Sequence, residues 1–156
     1  MLVFFFEVTD MEIMTRDFGQ VTISDEGTIR FVSPIYGFEK YTEYVLLSDT
    51  NIGESFIWLQ SVQEPDLCFI LVDPRLTYPH YAPSLSEEAR QDLSRKGLNN
   101  PVYWAIAVIP QEFRKSTINL KSPVLIDPDS KKAAQVILDE DYPIRAPLIP
   151  QEKGEG

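Results

Sequence analysis

Two side chains in this sequence are well suited to covalent chemistry, and each occurs once: the thiol of Cys68 and the imidazole of His80. Brought together they would make a nucleophile and its base. Their settings argue against that. Cys68 is embedded in Leu67-Cys68-Phe69-Ile70-Leu71-Val72, and apolar surroundings raise a thiol pKa rather than lower it. His80 lies in Tyr78-Pro79-His80-Tyr81-Ala82-Pro83, an aromatic and proline-rich loop. One histidine and one thiol also fall short of the usual zinc ligand set. Asp127-Pro128-Asp129-Ser130 has half the look of a calcium loop, but the glycine and the distant bidentate glutamate are missing. A proline turn capped by Asp127 accounts for it better. The seven glycines form no phosphate-cradling loop, and Asp139-Glu140-Asp141 reads as a solvated turn. No catalytic residue, metal ligand or cofactor site is therefore assigned. A binding protein is the expected class, with a small enzyme built on Cys68 and His80 as the lesser alternative.

The charge distribution points the same way. Residues 1–74 carry 13 acidic and 3 basic side chains, whereas residues 75–156 carry 11 of each, so the whole net charge of −10 sits in the first half. Such a surface repels nucleic-acid phosphates and attracts a basic partner. Apolar side chains in loops are the candidate anchors: Ile35 next to Tyr36 and Phe38, which stand beside Gly37, and the Tyr78 to Tyr81 loop, with the aromatics Tyr36, Phe38, Tyr78 and Tyr81 at their head. Ringed by Glu39, Glu43, Asp49, Glu54, Glu64 and Asp66, they would suit a partner that is apolar at its centre and basic at its rim. The four aromatics and six acidic residues form the candidate partner-binding set. The competing reading of each aromatic is that it plugs the core.

The elements that must position these groups are short strands. Val21 to Ser24 and Thr28 to Val32 flank Asp25-Glu26-Gly27, which predicts a hairpin with glycine at a positive φ. Tyr44 to Leu47 reads as a strand. Phe56 to Val62 and Leu67 to Val72 surround the turn Gln63-Glu64-Pro65-Asp66 and are apolar on alternating and intervening positions alike, so they are predicted to be central strands covered on both faces. Val102 to Ile109, Ile118 to Ile126 and Ala134 to Leu138 complete the set, with Pro123 marking an edge or bulge. One segment is predicted helical: Ser84 and Glu87 as a capping box, Leu85, Ala89 and Leu93 as the apolar stripe, Gly97 at the C-terminus. An all-β fold with one short helix follows, a small antiparallel β-barrel-like body. Residues 1–10 are expected to be an N-terminal extension that fails the signal-peptide pattern, residues 11–148 the single domain, and residues 149–156 a flexible tail. The longest apolar run, Val102 to Ile109, is far below the ~20 residues that a membrane helix needs.

Several stretches in order carry a family resemblance. They are Thr15-Arg16-Asp17-Phe18-Gly19, Tyr36-Gly37-Phe38-Glu39, Trp58-Leu59-Gln60-Ser61 with Glu64-Pro65-Asp66-Leu67, and Asp73-Pro74. Ile109-Pro110, Thr117 to Pro123, Ala134 to Leu138 and Tyr142-Pro143-Ile144-Arg145 follow. The sequence resembles the FliW family of flagellar assembly factors from Met11 to about Leu148, with Asp17, Cys68 and Ala146 as departures. The resemblance implies a cytoplasmic, non-enzymatic regulator with a small barrel fold. It also implies two partners. One is CsrA, an RNA-binding translational repressor whose repression of flagellin synthesis is relieved. The other is flagellin itself, bound as by a chaperone and able to draw the factor away from CsrA. The family is described as acting from beside the RNA site of the repressor. A generic acidic protein-binding module is the alternative.

Overall fold

The structure, a computed structural model, describes residues 10–150, without the side chains of Asp25 and Glu54. The proposed extension, save Asp10, and most of the proposed tail lie outside the described residues. The strands are β1 (Asp10–Met14), β2 (Gln20–Ser24), β3 (Thr28–Ser33), β4 (Glu43–Asp49), β5 (Gly53–Ser61) and β6 (Cys68–Val72). Helices α1 (Pro74–Thr77) and α2 (Glu87–Arg95) come next, and then β7 (Val102–Val108), β8 (Thr117–Ile118), β9 (Val124–Asp127), β10 (Lys132–Gln135) and β11 (Ala146–Pro147).

Seven strands close into a barrel in the order β7-β6-β5-β4-β3-β10-β9, with β9 returning to β7. Every pair is antiparallel except β3 with β10. The exception is a matter of parity: strand directions cannot alternate all the way around a ring of odd number, so one neighbouring pair must run parallel. That pair needs no hairpin, because a long stretch of chain separates β3 from β10.

Alternation along each strand sorts side chains to the barrel interior or the outer face. Ile29, Phe31, Tyr44, Leu59, Leu71, Val124, Ile126 and Ala133 fill the interior. The outer face is covered too. The β1–β2 hairpin lays Ile13 and Ile23 over Val45, and the chain after β7 covers Val72, Ala105 and Ala107 with Ile118, Leu120, Leu138 and Ala146. β6 is thereby covered on both sides, and β5 through Phe56, which packs against the same cover, and through Trp58, which meets Phe18, as their apolar runs predict.

Local details depart from the sequence reading in six places, the first being that β1 and β11 form where that reading has no strand. β2 pairs with β1, and β3 with β4 and β10, so the expected β2–β3 hairpin does not form. Asp25–Gly27 is instead a single 3-10 turn, and Gly27 is not among the positive-φ glycines. The segment 118–126 is two strands. Asn119 Oδ1 accepts from the N–H groups of Lys121 and Ser122, and this turn, with buried Pro123 after it, ends β8 before β9 begins. β10 stops at Gln135, short of Leu138. The cap of α2 is Ser86, whose Oγ accepts from Ala89 N, rather than Ser84; Ser84 N donates to Glu140 Oε1. A one-turn helix, α1, was not expected; Asp73 caps it and Pro74 starts it. The C-terminus of α2 does end as predicted. Gly97 sits at φ 102°, Leu98 N donates to Leu93 O and Gly97 N to Ser94 O, the paired bonds of a glycine-ended helix.

Candidate partner-binding surface

The barrel topology gathers part of the candidate set at one end. β3, β5 and β10 finish there, and β4 and β6 start there. The β3–β4 and β5–β6 connections are therefore neighbours, and they bring Tyr36, Phe38, Glu39, Glu43, Glu64 and Asp66 to one rim. The two connections are stitched together. Gln63 Oε1 accepts from Thr42 N at 3.1 Å, and Val62 N donates to Glu43 O.

The first connection is a tight loop with its aromatic tips outward. Phe38 N donates to Ile35 O and Tyr41 N to Phe38 O, while Gly37 takes φ 90°, a conformation that glycine adopts without strain. Ile35 is 2% exposed and anchors the loop in the core, so it is no surface anchor. Tyr36 is 62% exposed and Phe38 37%. The Phe38 ring rests edge-on against Phe69 with centroids 5.1 Å apart, so it closes the barrel end while keeping one face in solvent. Glu39 Oε1 accepts from Gly37 N. That backbone bond holds the carboxyl below its ordinary pKa and keeps it charged. Glu43 pairs with Arg30 at 3.1 Å, an exposed pair of little energetic weight.

The second connection is set by Gln60 and Ser61. Ser61 Oγ accepts from the N–H groups of Gln63 and Glu64. The fully buried Gln60 carboxamide donates to Pro65 O and Leu67 O and accepts from Arg16 N at 3.0 Å. Phe18 meets Trp58 edge-on at 5.2 Å, and Arg16 Nη1 donates to Cys68 O. Residues 15–19 and 58–68, two separate blocks of the family-like pattern, are thus one packed unit.

The remaining members lie elsewhere. Asp49 and Glu54 flank the β4–β5 turn at the opposite end; the side chain of Glu54 lies outside the described residues. Tyr78 donates through its hydroxyl to Pro147 O. Tyr81 is 4% exposed, its hydroxyl donates to Leu120 O at 2.8 Å, and its ring meets Tyr142 at 4.8 Å. Tyr81 is part of the core, where burial raises its pKa, and is no surface anchor.

The groups considered for chemistry stay apart. No hydrogen bond joins Cys68 to His80. Cys68 is buried, with its thiol pushed up to about 11 by burial, while His80 is exposed. Asp127 is 2% exposed. Its Oδ1 accepts from Asp129 N and Ser130 N, and its Oδ2 from Asn99 N and Asn100 N. Those bonds, led by Asn99 N, lower its pKa. The residue is the expected turn cap, and it also fastens the end of the β6–β7 connection. Among the described residues no cluster of three or more His, Cys, Asp or Glu is arranged to hold a metal ion. No helix among them is long and apolar enough to cross a membrane.

Sequence reasoning missed the glutamines Gln60, Gln63 and Gln135. A signal existed for the first, since a glutamine inside an apolar strand must find partners when buried.

Comparison with known proteins agrees with this architecture. The FliW protein family profile matches residues 12–148. The flagellar assembly factor FliW of Caldanaerobacter subterraneus subsp. tengcongensis is 34% identical over 144 residues, covering 92% of this chain and 96% of its own. That of Ruminiclostridium cellulolyticum is 38% identical over 136 residues, covering 86% and 92%. A crystal structure of the flagellar assembly factor FliW superposes with a TM-score of 0.81 at 30% identity, covering 92% of this chain and all of that one.

Proposed function

This chain belongs to the FliW family of flagellar assembly factors, and from that premise we propose that it works in the cytoplasm as a partner-switching adaptor. In this reading it binds the translational repressor CsrA, relieves repression of flagellin synthesis, and releases CsrA when flagellin takes its place. The working unit is residues 11–148, and it catalyses no reaction. The FliW resemblance of the sequence supplies the two partners.

The observation that carries the reading is the barrel end where Tyr36 and Phe38 stand among Glu39, Glu43, Glu64 and Asp66. An RNA-binding repressor is basic, and an acidic rim around aromatic anchors is complementary to such a surface. Flagellin's terminal segments are apolar and helical and need a groove or sheet edge instead. Exclusion between the partners then requires overlap or a coupling of typically ~1–3 kcal/mol between their sites.

Titrating purified CsrA into the labelled chain, and then adding flagellin, tests the reading. A saturable complex that flagellin dissociates is expected. Absence of a CsrA complex at low salt, or a ternary complex in which CsrA stays bound, would contradict it.

A further inference from the structure

Two buried glutamines cross from the barrel wall into the connections that carry the acidic and aromatic groups. Gln135, the last residue of β10, is 8% exposed. Its Oε1 accepts from Tyr36 N at 2.8 Å and its Nε2 donates to Ser122 O at 3.2 Å. Gln60, the penultimate residue of β5, is fully buried and holds the turn 63–67 through Pro65 O and Leu67 O. It also ties that turn to the β1–β2 loop through Arg16 N. Both strands end on the same side of the barrel. Each carboxamide therefore fixes one half of the rim by bonding backbone groups, and it does so regardless of which side chains the rim carries.

We propose that Gln60 and Gln135 are positioning residues for the partner-binding end, setting the backbone of its two connections so that Tyr36, Phe38, Glu64 and Asp66 meet a basic protein already ordered. This deepens the reading above and rests on it. Backbone already held in its bound form avoids the ordering cost that binding otherwise incurs. A buried amide whose partners are all backbone groups is also a demanding fit. Asparagine is one methylene short of the same bonds, methionine fills the space without them, and glutamate keeps only the acceptor.

The test is backbone amide exchange by NMR together with CsrA affinity, measured on wild type, Gln135→Asn, Gln135→Met, Gln135→Glu and Gln60→Asn. In Gln135→Asn and Gln135→Met the Tyr36 amide should exchange about tenfold faster, the factor implied by one lost hydrogen bond of ordinary strength. The Arg16 amide should keep its protection. Gln60→Asn should show the reverse pattern. Gln135→Glu retains the acceptor for Tyr36 N but sets a carboxylate oxygen against Ser122 O, so it should restore Tyr36 protection only in part. CsrA affinity should fall roughly fivefold where a connection is loosened, in line with the cost of ordering it anew on binding, and should fall less in Gln135→Glu, which keeps the bond to Tyr36 N.

A purely structural role would speed exchange at both sites together and follow the melting temperature. Should Gln135→Met not fold, the asparagine and glutamate variants decide the matter. Wild-type affinity in Gln135→Asn and Gln60→Asn, with Tyr36 or Arg16 deprotected, would overturn the positioning role. Failure of the wild-type chain to bind CsrA would instead overturn the proposed function.

Discussion

Two loops that look alike in sequence, Tyr36-Gly37-Phe38 and Tyr78-Pro79-His80-Tyr81, have opposite fates. The first stays at the surface, held by local turns and by Gln135. In the second, Tyr81 is covered by residues far along the chain: its hydroxyl reaches Leu120, 39 positions away, and its ring meets Tyr142. An aromatic loop thus becomes a surface or a core according to whether a distant segment folds over it, and its own residues do not decide that.

Substitution should break this contrast most clearly. Tyr81→Ala removes a buried ring and should cost about 3–5 kcal/mol of stability, whereas Tyr36→Ala should change stability by no more than about 0.5 kcal/mol. Chemical denaturation of the two variants checks this. Equal losses would place both rings in the core.

Acid sharpens the contrast next. Asp127 fastens the connection that carries Tyr81 by accepting from Asn99 and Asn100, and its folded pKa is lowered below the ordinary 3.8. A depressed carboxylate contributes stability that is fully present above its unfolded pKa and is lost as pH falls through the folded value. Asp127→Asn should therefore lower the melting temperature at pH 7, and the gap from wild type should narrow as pH falls through and below 3.8. A gap independent of pH would contradict the assignment.

The smallest effect concerns Cys68. With its thiol buried and pushed up to about 11, it should resist alkylation in the native protein at neutral pH and react on unfolding. Mass analysis after iodoacetamide treatment reads this directly.

The sequence made most of the strand set (all but β1, β11 and the division of 118–126), the glycine-ended helix and the Asp127 turn legible because each rests on neighbours: alternation, caps and turn residues. What it hid was non-local. Pairing of β2 with β1 instead of β3 depends on Ile23 and Ile13 covering Val45, a contact no window of sequence contains. The split of 118–126 depends on the Asn119 turn, whose bonding competes with strand pairing. Of the candidate surface, the acidic and aromatic residue types were legible. Which of them share a rim was not, since Asp49 and Glu64 differ only in the end of β5 that they flank. Of the glutamines that hold the rim, Gln60 left a trace as a polar residue in an otherwise apolar strand, whereas the backbone partners of Gln135 leave no pattern in side-chain types.

The central claim is that one end of the barrel, and not negative charge at large, receives the basic partner. The direct test compares CsrA affinity for Glu39→Lys/Glu64→Lys/Asp66→Lys with that for Asp49→Lys at the opposite end, across a range of ionic strength. The claim predicts a loss of about tenfold or more at low salt for the triple variant, shrinking as salt screens the rim, and wild-type behaviour for Asp49→Lys. Equal losses from the two ends, or none from the triple variant at low salt, would contradict it.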